Sequence, residues 1–441
     1  MTDNNTLIDW FRASTSYINA HRGKVFVVLL SGEALEDDNL SNIIYDLSLL
    51  HSLGTKLVLV HGARPQISRA LAETGKELRY HRNLRITETD CMATVRETVG
   101  DLSYWLDGLL SMGTANSPMH GAQLRLIRGN FVTAKPVGIH DGIDFHYTGK
   151  VRKIHAQAIQ KQLDEGNLVL LSNLGFSLTG EVFNLSAEEI ATEAAIALNA
   201  EKLLLLLPTA GVLDSDGKQL PSLNEQDAVA NMERLQQFDD EQSSCIAQAL
   251  SAALHAYRHG VHRTHLISFK GNGALLQELF TREGNGSLLS SDSFDLLRNA
   301  QVADVPGILN LIKPLEDNGT LVERSRERLE NEIGNFKLIE LEGSIIACAA
   351  LYPISEDAAE LACIAIHPSY QKQKLGSRLL QSLESEARSN GVKSLFVLTT
   401  VTSHWFIEHG FAESSPDALP ETRQKLYNFQ RNSKVLCKPI S

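Results

Sequence analysis

The chain has 441 residues, about three times the length of a typical domain, so two or three domains are expected. Its net charge of -12 and its pI of about 5.7 argue against a general affinity for nucleic acid or for anionic membranes. No apolar run reaches the roughly 18 residues that a membrane-spanning helix needs. We therefore expect neither nucleic acid nor a membrane among its partners.

The first residues, MTDNNTLIDWF, lack the basic and then apolar order of a secretory signal. The five cysteines are scattered, odd in number and without the spacing of metal ligands. Both features favour free thiols in a reducing compartment, so the sequence predicts a cytoplasmic protein without a metal.

Apolar residues recur near helical spacing within residues 1–22, which predicts an N-terminal helix. After it, short apolar runs alternate with helical patterns such as 186–199 and 243–259. This alternation predicts an α/β domain with a mainly parallel sheet covered by helices. The runs that indicate strands are 25–30, 56–61, 123–127, 168–171, 203–207 and 265–269.

Small and polar residues cluster near residue 290, and a pattern of consecutive strands begins after them. We expect the first domain to cover 23–287, a linker to cover 288–296 and a second domain to cover 297–441. The second domain would have about 145 residues, a normal domain size.

The turn at Ser31 and Gly32 follows the first predicted strand directly. A small turn at such a place can lay backbone N–H groups against a phosphate. Yet no lysine or arginine lies between Val25 and Ile44, although phosphoryl transfer needs cations to offset charge. The loop therefore has the backbone of a phosphate site without its cation.

The stretch CIAIHPSYQKQKLGSRLL places a basic, glycine-containing loop between a strand and an amphipathic helix. Such a loop suits a pyrophosphate, because the first amides of the helix point outward and Lys372 and Lys374 add charge. The alternative is a solvated basic turn before an ordinary helix.

This arrangement resembles the GNAT superfamily of acetyl-CoA-dependent N-acetyltransferases. The pattern Gln/Arg-x-x-Gly-x-Gly/Ala is matched by Gln371, Lys374 and Gly376, with Lys374 in place of the first glycine. The resemblance implies an α+β fold in which the preceding strand splays from its neighbour and offers backbone groups to the pantetheine arm. The acetyl-CoA contacts that it implies are Ile364, Ala365, Ile366, Gln371, Lys372, Lys374, Leu375, Gly376 and Ser377.

The first 285 residues or so resemble the amino acid kinase family, especially N-acetylglutamate kinase, in LVHGARPQI, NLRIT and FNLSAEEIATEAAIALNAEKLLLL. The resemblance implies an αβα sandwich. However, the two catalytic lysine positions hold Leu29 and Gln248, the organising aspartate is Glu188, and Ala63 and Arg64 replace glycines of the phosphate loop. Each absent cation removes roughly 3–4 kcal/mol of transition-state stabilisation, so we expect no kinase activity.

A kinase-like domain fused to a GNAT domain resembles the bacterial N-acetylglutamate synthase family over essentially the whole chain. The resemblance implies transfer of acetyl from acetyl-CoA to L-glutamate, the first step of arginine biosynthesis. It also implies feedback inhibition by L-arginine, bound on the kinase-like domain, and a homohexamer assembled through that domain.

Glutamate carries an ammonium whose pKa lies well above neutrality, so a base must help to expose the lone pair. The resemblance makes Glu360 that base, acting through water, and the strand amides near Ile364 suit the tetrahedral oxyanion. Cys363 and Tyr427 are candidates to protonate the departing thiolate. The alternatives are a carboxylate at the rim of the site without a role and two packing residues.

A dicarboxylate substrate calls for arginines, whose forked donors match carboxylates. Arg324, and Arg431 with Ser433, match the glutamate-binding positions of the family, and Thr399 is a further candidate. The alternative is that these are surface arginines.

The arginine site of the family lies between the N-terminal helix and a glycine-rich segment late in the first domain. There a carboxylate would pair with the guanidinium and carbonyls would accept its other donors. A purely structural role is the alternative for each candidate residue. The candidates are Tyr17, Glu278, Glu283, Gly284, Gly286 and Ser287.

Two competing functions stay open at this point. One is an active N-acetylglutamate kinase with an appended acetyltransferase, against which Leu29 and Gln248 speak. The other is a non-enzymatic arginine sensor that holds acetyl-CoA only as a ligand, against which Glu360, Arg324 and Arg431 speak.

Overall fold

The structure, a computed structural model, divides into two compact units, Met1–Asp292 and Ser293–Ser441. The residues that the structure describes are 8, 10–12, 14–81, 83–112, 119–122, 124–238, 240–281, 284–290, 295–341, 344–371, 375–424 and 433–440.

The predicted linker, 288–296, is too long at both ends. The strand Gly286–Ser290 belongs to a sheet of the first unit, and the strand Asp295–Asn299 belongs to the sheet of the second. Leu288 and Leu289 are buried, so the small and polar residues around them do not mark a loop.

The first unit contains both strands and helices throughout its length. Its strands are β1 (Val25–Leu30), β2 (Lys56–His61), β3 (Tyr80–His81), β4 (Leu84–Arg85), β5 (Leu126–Ile127), β6 (Val132–Pro136), β7 (Ile139–His140), β8 (Ile143–Asp144), β9 (Gly149–Ile154), β10 (Leu168–Ser172), β11 (Leu174–Phe176), β12 (Val182–Asn184), β13 (Lys202–Leu207), β14 (Ser222–Leu223), β15 (Arg263–Ser268) and β16 (Gly286–Ser290). Its helices are α1 (Thr15–His21), α2 (Leu40–Ser52), α3 (Arg64–Glu73), α4 (Met92–Leu110), α5 (Ala156–Asp164), α6 (Ala187–Ala197), α7 (Glu225–Leu235), α8 (Glu241–Arg258) and α9 (Ala274–Phe280).

The main sheet of the first unit has the strand order β14-β16-β15-β13-β1-β2-β10-β5. Within the described ranges its pairings are parallel except for β15 with β16. Strand β1 is apolar throughout because both faces of the sheet are covered. Val27 and Leu29 pack into one apolar core, and Phe26 and Val28 pack into another on the opposite face. The predicted αβα sandwich is confirmed.

Parallel strands bring their carboxyl ends to one edge of the sheet. Ser31 follows the end of β1, Gly62 follows β2 and Asn173 follows β10, so these loops lie side by side. A second sheet, in the order β12-β11-β6-β9, and the hairpins β3–β4 and β7–β8 complete the described strands of this unit.

The second unit contains a smaller set of elements. Its strands are β17 (Asp295–Asn299), β18 (Phe336–Leu341), β19 (Ser344–Pro353), β20 (Ala358–Ile366), β21 (Ser394–Thr399), β22 (Ala412–Ser414) and β23 (Lys434–Pro439). Its helices are α10 (Val305–Asp317), α11 (Arg326–Glu332), α12 (Leu375–Ser389), α13 (Ser403–Glu408) and α14 (Glu421–Gln424).

These seven strands form one sheet in the order β17-β18-β19-β20-β21-β23-β22. In the part of the unit that the structure describes, β20 and β21 pair in parallel and the other neighbours pair antiparallel. Leu379 and Leu383 of α12 pack on one face of this sheet, whereas Ile308 and Ile312 of α10 pack on the other. The predicted α+β fold of the second domain is confirmed.

Candidate active site

Strand β20 contains a β-bulge in its second half. Ala350 pairs with Ala362 and Cys348 pairs with Ala365, so Cys363 and Ile364 stand opposite the single residue Ala349. Cys363 has a φ of 54°, a left-handed conformation that is unusual for a residue with a side chain. A bulge bends its strand and locally interrupts the ladder, and bulges are frequent next to active sites.

The bulge coincides with a split between β20 and β21. The two strands pair in parallel from Ala358 with Ser394 to Leu361 with Val397, and the pairing stops there. From Ala362 to Ile366 the backbone edge of β20 that would face β21 therefore lacks a ladder partner in β21. The split that the GNAT resemblance implies is present, and it leaves the backbone edge of Ile364, Ala365 and Ile366 without a ladder partner in β21.

Helix α12 begins beside the end of β20. A Cβ atom on Gly376 would lie 3.0 Å from Cζ2 of Trp405 and 3.1 Å from Cδ1 of Ile366. The glycine therefore lets the first turn of the helix approach the end of the strand closely. Leu375 is buried against the sheet, and Gln371 lies in the turn before the helix.

Ser377, in the same first turn, makes a side-chain contact that sequence reasoning missed. His409 Nδ1 lies 2.8 Å from the carbonyl oxygen of Trp405, so Nδ1 must donate and Nε2 must accept. The Ser377 hydroxyl lies 2.8 Å from that Nε2 and donates to it. Ser377 thus holds His409, whose ring stacks on Trp405 with centroids 4.2 Å apart.

Glu360 lies early in β20, as predicted, but its carboxylate forms an ion pair. Arg423 Nε donates to Oε2 at 2.5 Å and Nη2 donates to Oε1 at 3.0 Å. The Glu360 side chain is 13% exposed, and the carboxylate raises the pKa of Arg423. Sequence reasoning missed Arg423, because an arginine 63 residues away along the chain gives no local signal.

Arg324 reaches the region of the bulge from the loop before α11. Its Nη1 donates to the carbonyl of Val322 at 3.0 Å. Its Nε is buried and has no hydrogen-bond partner among the described residues. A buried donor without an acceptor costs free energy, so the guanidinium is suited to receive an anionic group.

Four ionisable groups lie around Arg324: Tyr352, Glu332, Cys348 and Cys363. Tyr352, which pairs with Glu360 across the strands, donates its hydroxyl to Glu332 Oε2 at 2.7 Å. Burial and this hydrogen bond raise the pKa of Tyr352. Cys348 and Cys363 are buried neighbours. A hydrogen bond from Cys348 and the charge of Arg324 hold the pKa of the Cys363 thiol below its usual range, against the effect of burial.

Thr399 and Ser433 lie next to each other at the open end of the split. Thr399 pairs with Lys434 across β21 and β23, which places Ser433 just beyond that pair. The Thr399 hydroxyl accepts hydrogen bonds from the amides of Thr402 at 3.0 Å and Val401 at 3.3 Å. It therefore shapes the turn that leads into α13.

Five of the predicted site residues lie outside the described residues: Lys372, Lys374, Tyr427, Arg431 and Glu283. Within the ranges that are described, no three His, Cys, Asp or Glu side chains are grouped so that they could hold a metal ion. A search of the same ranges finds no helix with the length and apolar character needed to cross a membrane.

Comparisons with known proteins agree with both folds. Residues 24–268 match the amino acid kinase family, and residues 306–411 match the acetyltransferase (GNAT) family. The amino-acid acetyltransferase of Azotobacter vinelandii is 51% identical over 434 residues, which is 98% of this chain and 99% of that protein. The enzyme of Pseudomonas aeruginosa strain PAO1 is 50% identical over the same shares. The chain belongs to the amino-acid acetyltransferase family.

Solved structures support the same assignment. The N-acetylglutamate synthase of Neisseria gonorrhoeae, complexed with coenzyme A and L-arginine, is 36% identical and superposes with a TM-score of 0.87 over 98% of this chain and 99% of that chain. The same enzyme complexed with coenzyme A and N-acetyl-glutamate gives 37% identity and a TM-score of 0.62 over the same shares. This acetyltransferase therefore takes its acetyl group from acetyl-CoA, as predicted. The bulge, the split and the start of α12 are the candidate cofactor cleft.

The first unit of this acetyltransferase contains a buried chain of charged side chains. Lys202 Nζ lies 3.4 Å from His265 Nε2, and His265 Nδ1 lies 2.6 Å from Glu278 Oε1. The second oxygen of Glu278 accepts a hydrogen bond from the amide of Asn285 at 2.7 Å. Burial raises the pKa of Glu278, but these hydrogen bonds outweigh it and hold the pKa below its usual range. Lys202 is the first residue of the apolar strand β13 and His265 lies within β15, and a polar residue in a buried strand is the signal that could have found them.

The predicted regulatory residues converge on this chain. A Cβ on Gly284, whose φ is 65°, would lie 2.7 Å from Glu278 Oε2, and a Cβ on Gly286 would lie 2.6 Å from a carbonyl oxygen of β15. The fully buried Ser287 accepts a hydrogen bond from the amide of Val212 at 2.8 Å. Tyr17 lies on α1, 6.4 Å ring to ring from His21.

His21 connects helix α1 to the buried chain. Its ring packs edge-on against Phe26 and Phe280, at 5.2 and 5.5 Å between centroids. Burial, together with the charges of Lys202, His265 and Arg263, lowers the pKa of His21 to about 3. The imidazole is therefore neutral near pH 7, and its ring contacts tie α1 to β1 and α9.

The kinase-like cavity is retained at the carboxyl edge of the main sheet, with a volume of about 710 Å³. Leu29, at the position of a catalytic lysine, is 3% exposed and lies in the core. Gln248, at the other lysine position, accepts a hydrogen bond from Arg64 Nη1 at 3.4 Å. Glu188 accepts one from the Ser186 hydroxyl at 2.5 Å. The described lining of the cavity includes two arginines and no lysine.

Proposed function

We propose that this acetyltransferase transfers the acetyl group of acetyl-CoA to the α-amino group of L-glutamate, as the first step of L-arginine biosynthesis, and that L-arginine inhibits it. The observation that carries the proposal is the position of Arg324, which offers an unpaired buried donor beside the bulge of β20. An anion receptor next to the cofactor cleft suits an acidic amino acid.

The reaction needs a base, because the ammonium of glutamate must lose a proton before its nitrogen attacks the thioester carbon. Glu360 is that base, directly or through one water. When substrate binds, at least one oxygen of Glu360 must leave Arg423 or accept a second hydrogen bond, from the amine or from the water. Arg423 thus positions Glu360 until the amine arrives.

Attack on the carbonyl forms the C–N bond and places a negative charge on the thioester oxygen. Backbone N–H groups at the bulge, near Ile364, are suited to stabilise that oxyanion. The C–S bond then breaks, and a proton must reach the sulfur of coenzyme A. Cys363 and Tyr427 are the candidates, and the charge of Arg324 and a hydrogen bond from Cys348 lower the pKa of the Cys363 thiol.

The carboxylates of glutamate would bind to Arg324 and to Arg431 with Ser433. The hydroxyl of Thr399 stabilises the turn before α13, beside this glutamate pocket. Two carboxylate receptors would favour a dicarboxylate over neutral amino acids, since a buried guanidinium left without its partner is costly.

L-Arginine would bind the first unit at the residues that converge on Glu278. Its guanidinium would take the carboxylate of Glu278, and the glycine-rich segment with Glu283, Gly284, Gly286 and Ser287 would offer backbone and side-chain acceptors. Tyr17 on α1 would close the site. Arginine inhibits only if it binds the inhibited state better than the active one, so saturating substrates must weaken its apparent affinity.

The kinase-like unit is, on this proposal, a regulatory and assembly module of a cytoplasmic homohexamer. Leu29 and Gln248 remove both cations that phosphoryl transfer needs, which argues against the kinase alternative. The full chain should therefore neither phosphorylate N-acetyl-L-glutamate nor hydrolyse ATP. Light scattering in solution would measure the assembly.

The experiment that tests the substrate is coenzyme A release by the full chain against each of the twenty L-amino acids. L-Glutamate should give the highest kcat/KM, and added L-arginine should lower the rate. A neutral or basic amino acid with a higher kcat/KM would refute glutamate as the substrate. Release that is insensitive to arginine would refute the inhibition.

A further inference from the structure

The retained cavity of the first unit is the largest feature that the sites proposed above leave without a role. It lies at the carboxyl edge of the main sheet, where β1, β2 and β10 end. Its volume of about 710 Å³ is within the range of small-molecule sites. The glutamate and arginine sites proposed above involve other residues, so this cavity has no role in them.

Arg85 lines one side of this cavity and is only 8% exposed. Its Nη2 donates to the Ser68 hydroxyl at 2.7 Å and to the carbonyl of Arg64 at 3.2 Å. Its guanidinium stacks on the ring of Tyr80, 4.8 Å from the centroid. Nη1 is buried and has no hydrogen-bond partner among the described residues. A fixed, desolvated guanidinium with an unused donor calls for a carboxylate or another planar anion.

Two further polar atoms, on residues that line the cavity, are buried and also lack partners. Asn173 is 5% exposed, and its Nδ2 donates a hydrogen bond to Asn184 Oδ1 at 3.0 Å. This contact identifies the other atom of the Asn173 amide as Oδ1, an acceptor. Neither Asn173 Oδ1 nor the hydroxyl of Thr192 has a hydrogen-bond partner in the described part of the chain. A ligand with both an anionic group and N–H donors would satisfy these atoms.

The rest of the cavity lining is strongly acidic. Six carboxylates face two arginines, and four of the six have hydrogen-bond partners: Glu188, Glu189, Glu193 and Asp240. Within the described residues, Glu33 and Glu188 are not ion-paired to any cation. Both lie near Cys245, whose pKa burial raises to about 12 with help from these two charges. The loop after β1 therefore presents a carboxylate, Glu33, where a phosphate-binding loop would need a cation.

Arg85 on one side of the cavity and the Glu33 loop on the other both contact the same turn of helix α3. Gln66 Nε2 donates to the carbonyl of Gly32 at 2.7 Å, which fixes the Glu33 loop against this turn. Arg85 donates to the carbonyl of Arg64 in the same turn. A ligand that joins a carboxylate to a cationic group can therefore reach both sides. Phosphates would meet Glu33 and Glu188 and be repelled.

We propose that this cavity binds a small basic amino acid, with its carboxylate on Arg85 and its cationic side chain toward Glu33 and Glu188. The amino acid is recognised by charge at both ends, and its N–H donors satisfy Asn173. Nucleoside triphosphates and dianionic N-acyl amino acids are excluded by the carboxylates.

Calorimetry on the full chain without acetyl-CoA tests the proposal, with L-lysine as the probe and Mg-ATP and N-acetyl-L-glutamate as comparisons. L-Lysine should bind, and the other two should not compete for its site. Arg85→Gln should weaken L-lysine binding at least about 30-fold, because it removes the buried partner of the carboxylate. Glu33→Gln and Glu188→Gln keep the shape of the lining and should each weaken it about fivefold.

The matched control is Glu278→Gln, which alters the proposed arginine site and should leave L-lysine affinity unchanged. Glu33 lies in a half-buried loop, so its variant tests the proposal even if Arg85→Gln fails to fold. Absence of L-lysine binding would overturn the proposal. So would tighter, Arg85-dependent binding of Mg-ATP or N-acetyl-L-glutamate, or binding that depends on Glu278 and not on Glu33 and Glu188.

Discussion

The two units use the open end of parallel strands in different ways. In the first unit, the ends of β1, β2 and β10 surround a cavity whose original chemistry depends on side chains. Two residues, Leu29 and Gln248, stand where that chemistry needs lysines. In the second unit, the ends of β20 and β21 separate, and the exposed groups belong to the backbone.

On the proposed function, the kinase-like cavity of the first unit is catalytically silent and the cofactor cleft of the second unit is active, and this difference is the reason. A site made of side-chain cations is disabled by two substitutions that leave the fold intact. A site made of backbone groups depends on the bulge at Cys363 and on the close approach at Gly376, so it survives as long as the fold does. The replacement of a loop glycine by Lys374 fits this view, since the strand and helix around it are preserved.

The largest expected effect is on the rate of acetyl transfer in the cofactor cleft of the second unit. Glu360→Gln should lower kcat about 10²- to 10⁴-fold and leave acetyl-CoA binding nearly unchanged, because the carboxylate acts on the amine and not on the cofactor. Steady-state kinetics at several pH values, with calorimetry for acetyl-CoA, would measure both. Glu413→Gln, at an exposed ion pair with Lys434, is the matched control and should behave as the parent. Parent-like turnover of Glu360→Gln would remove its role as base.

A lysine restored at the kinase-like cavity of the first unit should destabilise the fold without restoring kinase activity. Leu29→Lys would bury an ammonium with no counter-charge in the core and should lower the free energy of unfolding by about 3–5 kcal/mol. Leu178→Lys, at a side chain that is 76% exposed, should change it by less than about 0.5 kcal/mol. Denaturant titration compares the two variants. Phosphorylation of N-acetyl-L-glutamate by Leu29→Lys would show that the loss of the lysine alone silenced the cavity.

Removal of the anion receptor should separate substrate binding from cofactor binding. Arg324→Ala should raise KM for L-glutamate about 10- to 150-fold, since it removes a charge-assisted hydrogen bond worth about 1.5–3 kcal/mol, and should change KM for acetyl-CoA little. Arg326→Ala is the control, because Arg326 is exposed and pairs with Glu330 on the surface. If acetyl-CoA affinity falls instead, Arg324 belongs to the cofactor site.

The smallest effect is a pH dependence confined to the first unit. His21 has a folded pKa of about 3 against an ordinary value of 6.5, so only the unfolded chain gains its proton between these values. Its contribution to stability is fully present above pH 6.5 and is lost as the pH falls toward 3. Between pH 7 and pH 5 the loss amounts to about 2 kcal/mol.

Denaturant titrations of the parent protein and of His21→Asn at pH 7 and pH 5 measure this loss of unfolding free energy. The variant should lose less stability on acidification, whereas His120→Gln, at an exposed histidine, should follow the parent. Identical slopes for all three proteins would mean that His21 does not stay neutral in the folded state.

The strands of the first unit could be read from the sequence because they are buried on both faces. Val25–Leu30 and Lys56–His61 begin and end where the apolar runs do. The short strand Leu126–Ile127 was expected to begin at residue 123, where the sequence is less apolar. The strand Gly286–Ser290 was missed, because its buried leucines stand among small and polar residues.

The polar contacts of the sites could not be read in the same way. Glu360 and Arg423, or His265 and Glu278, are joined only by the folded chain, and neither partner carries a local pattern that reveals the other. The left-handed conformation of Cys363 is equally hidden, since a cysteine in an apolar strand gives no sign of a bulge. The sequence alone indicated where the cofactor cleft lies, but only the folded structure shows which of its charged side chains pair with one another.

A crystal structure of the full chain with coenzyme A and L-glutamate would test the central claim most directly. The pantetheine arm should lie along the free edge of β20 from Ala362 to Ile366, with the pyrophosphate at the start of α12. A carboxylate of glutamate should bind Arg324, and its amine should lie within hydrogen-bond or single-water distance of Glu360. Glutamate bound away from Arg324 and Glu360, or coenzyme A bound outside the β20–β21 split, would contradict the account.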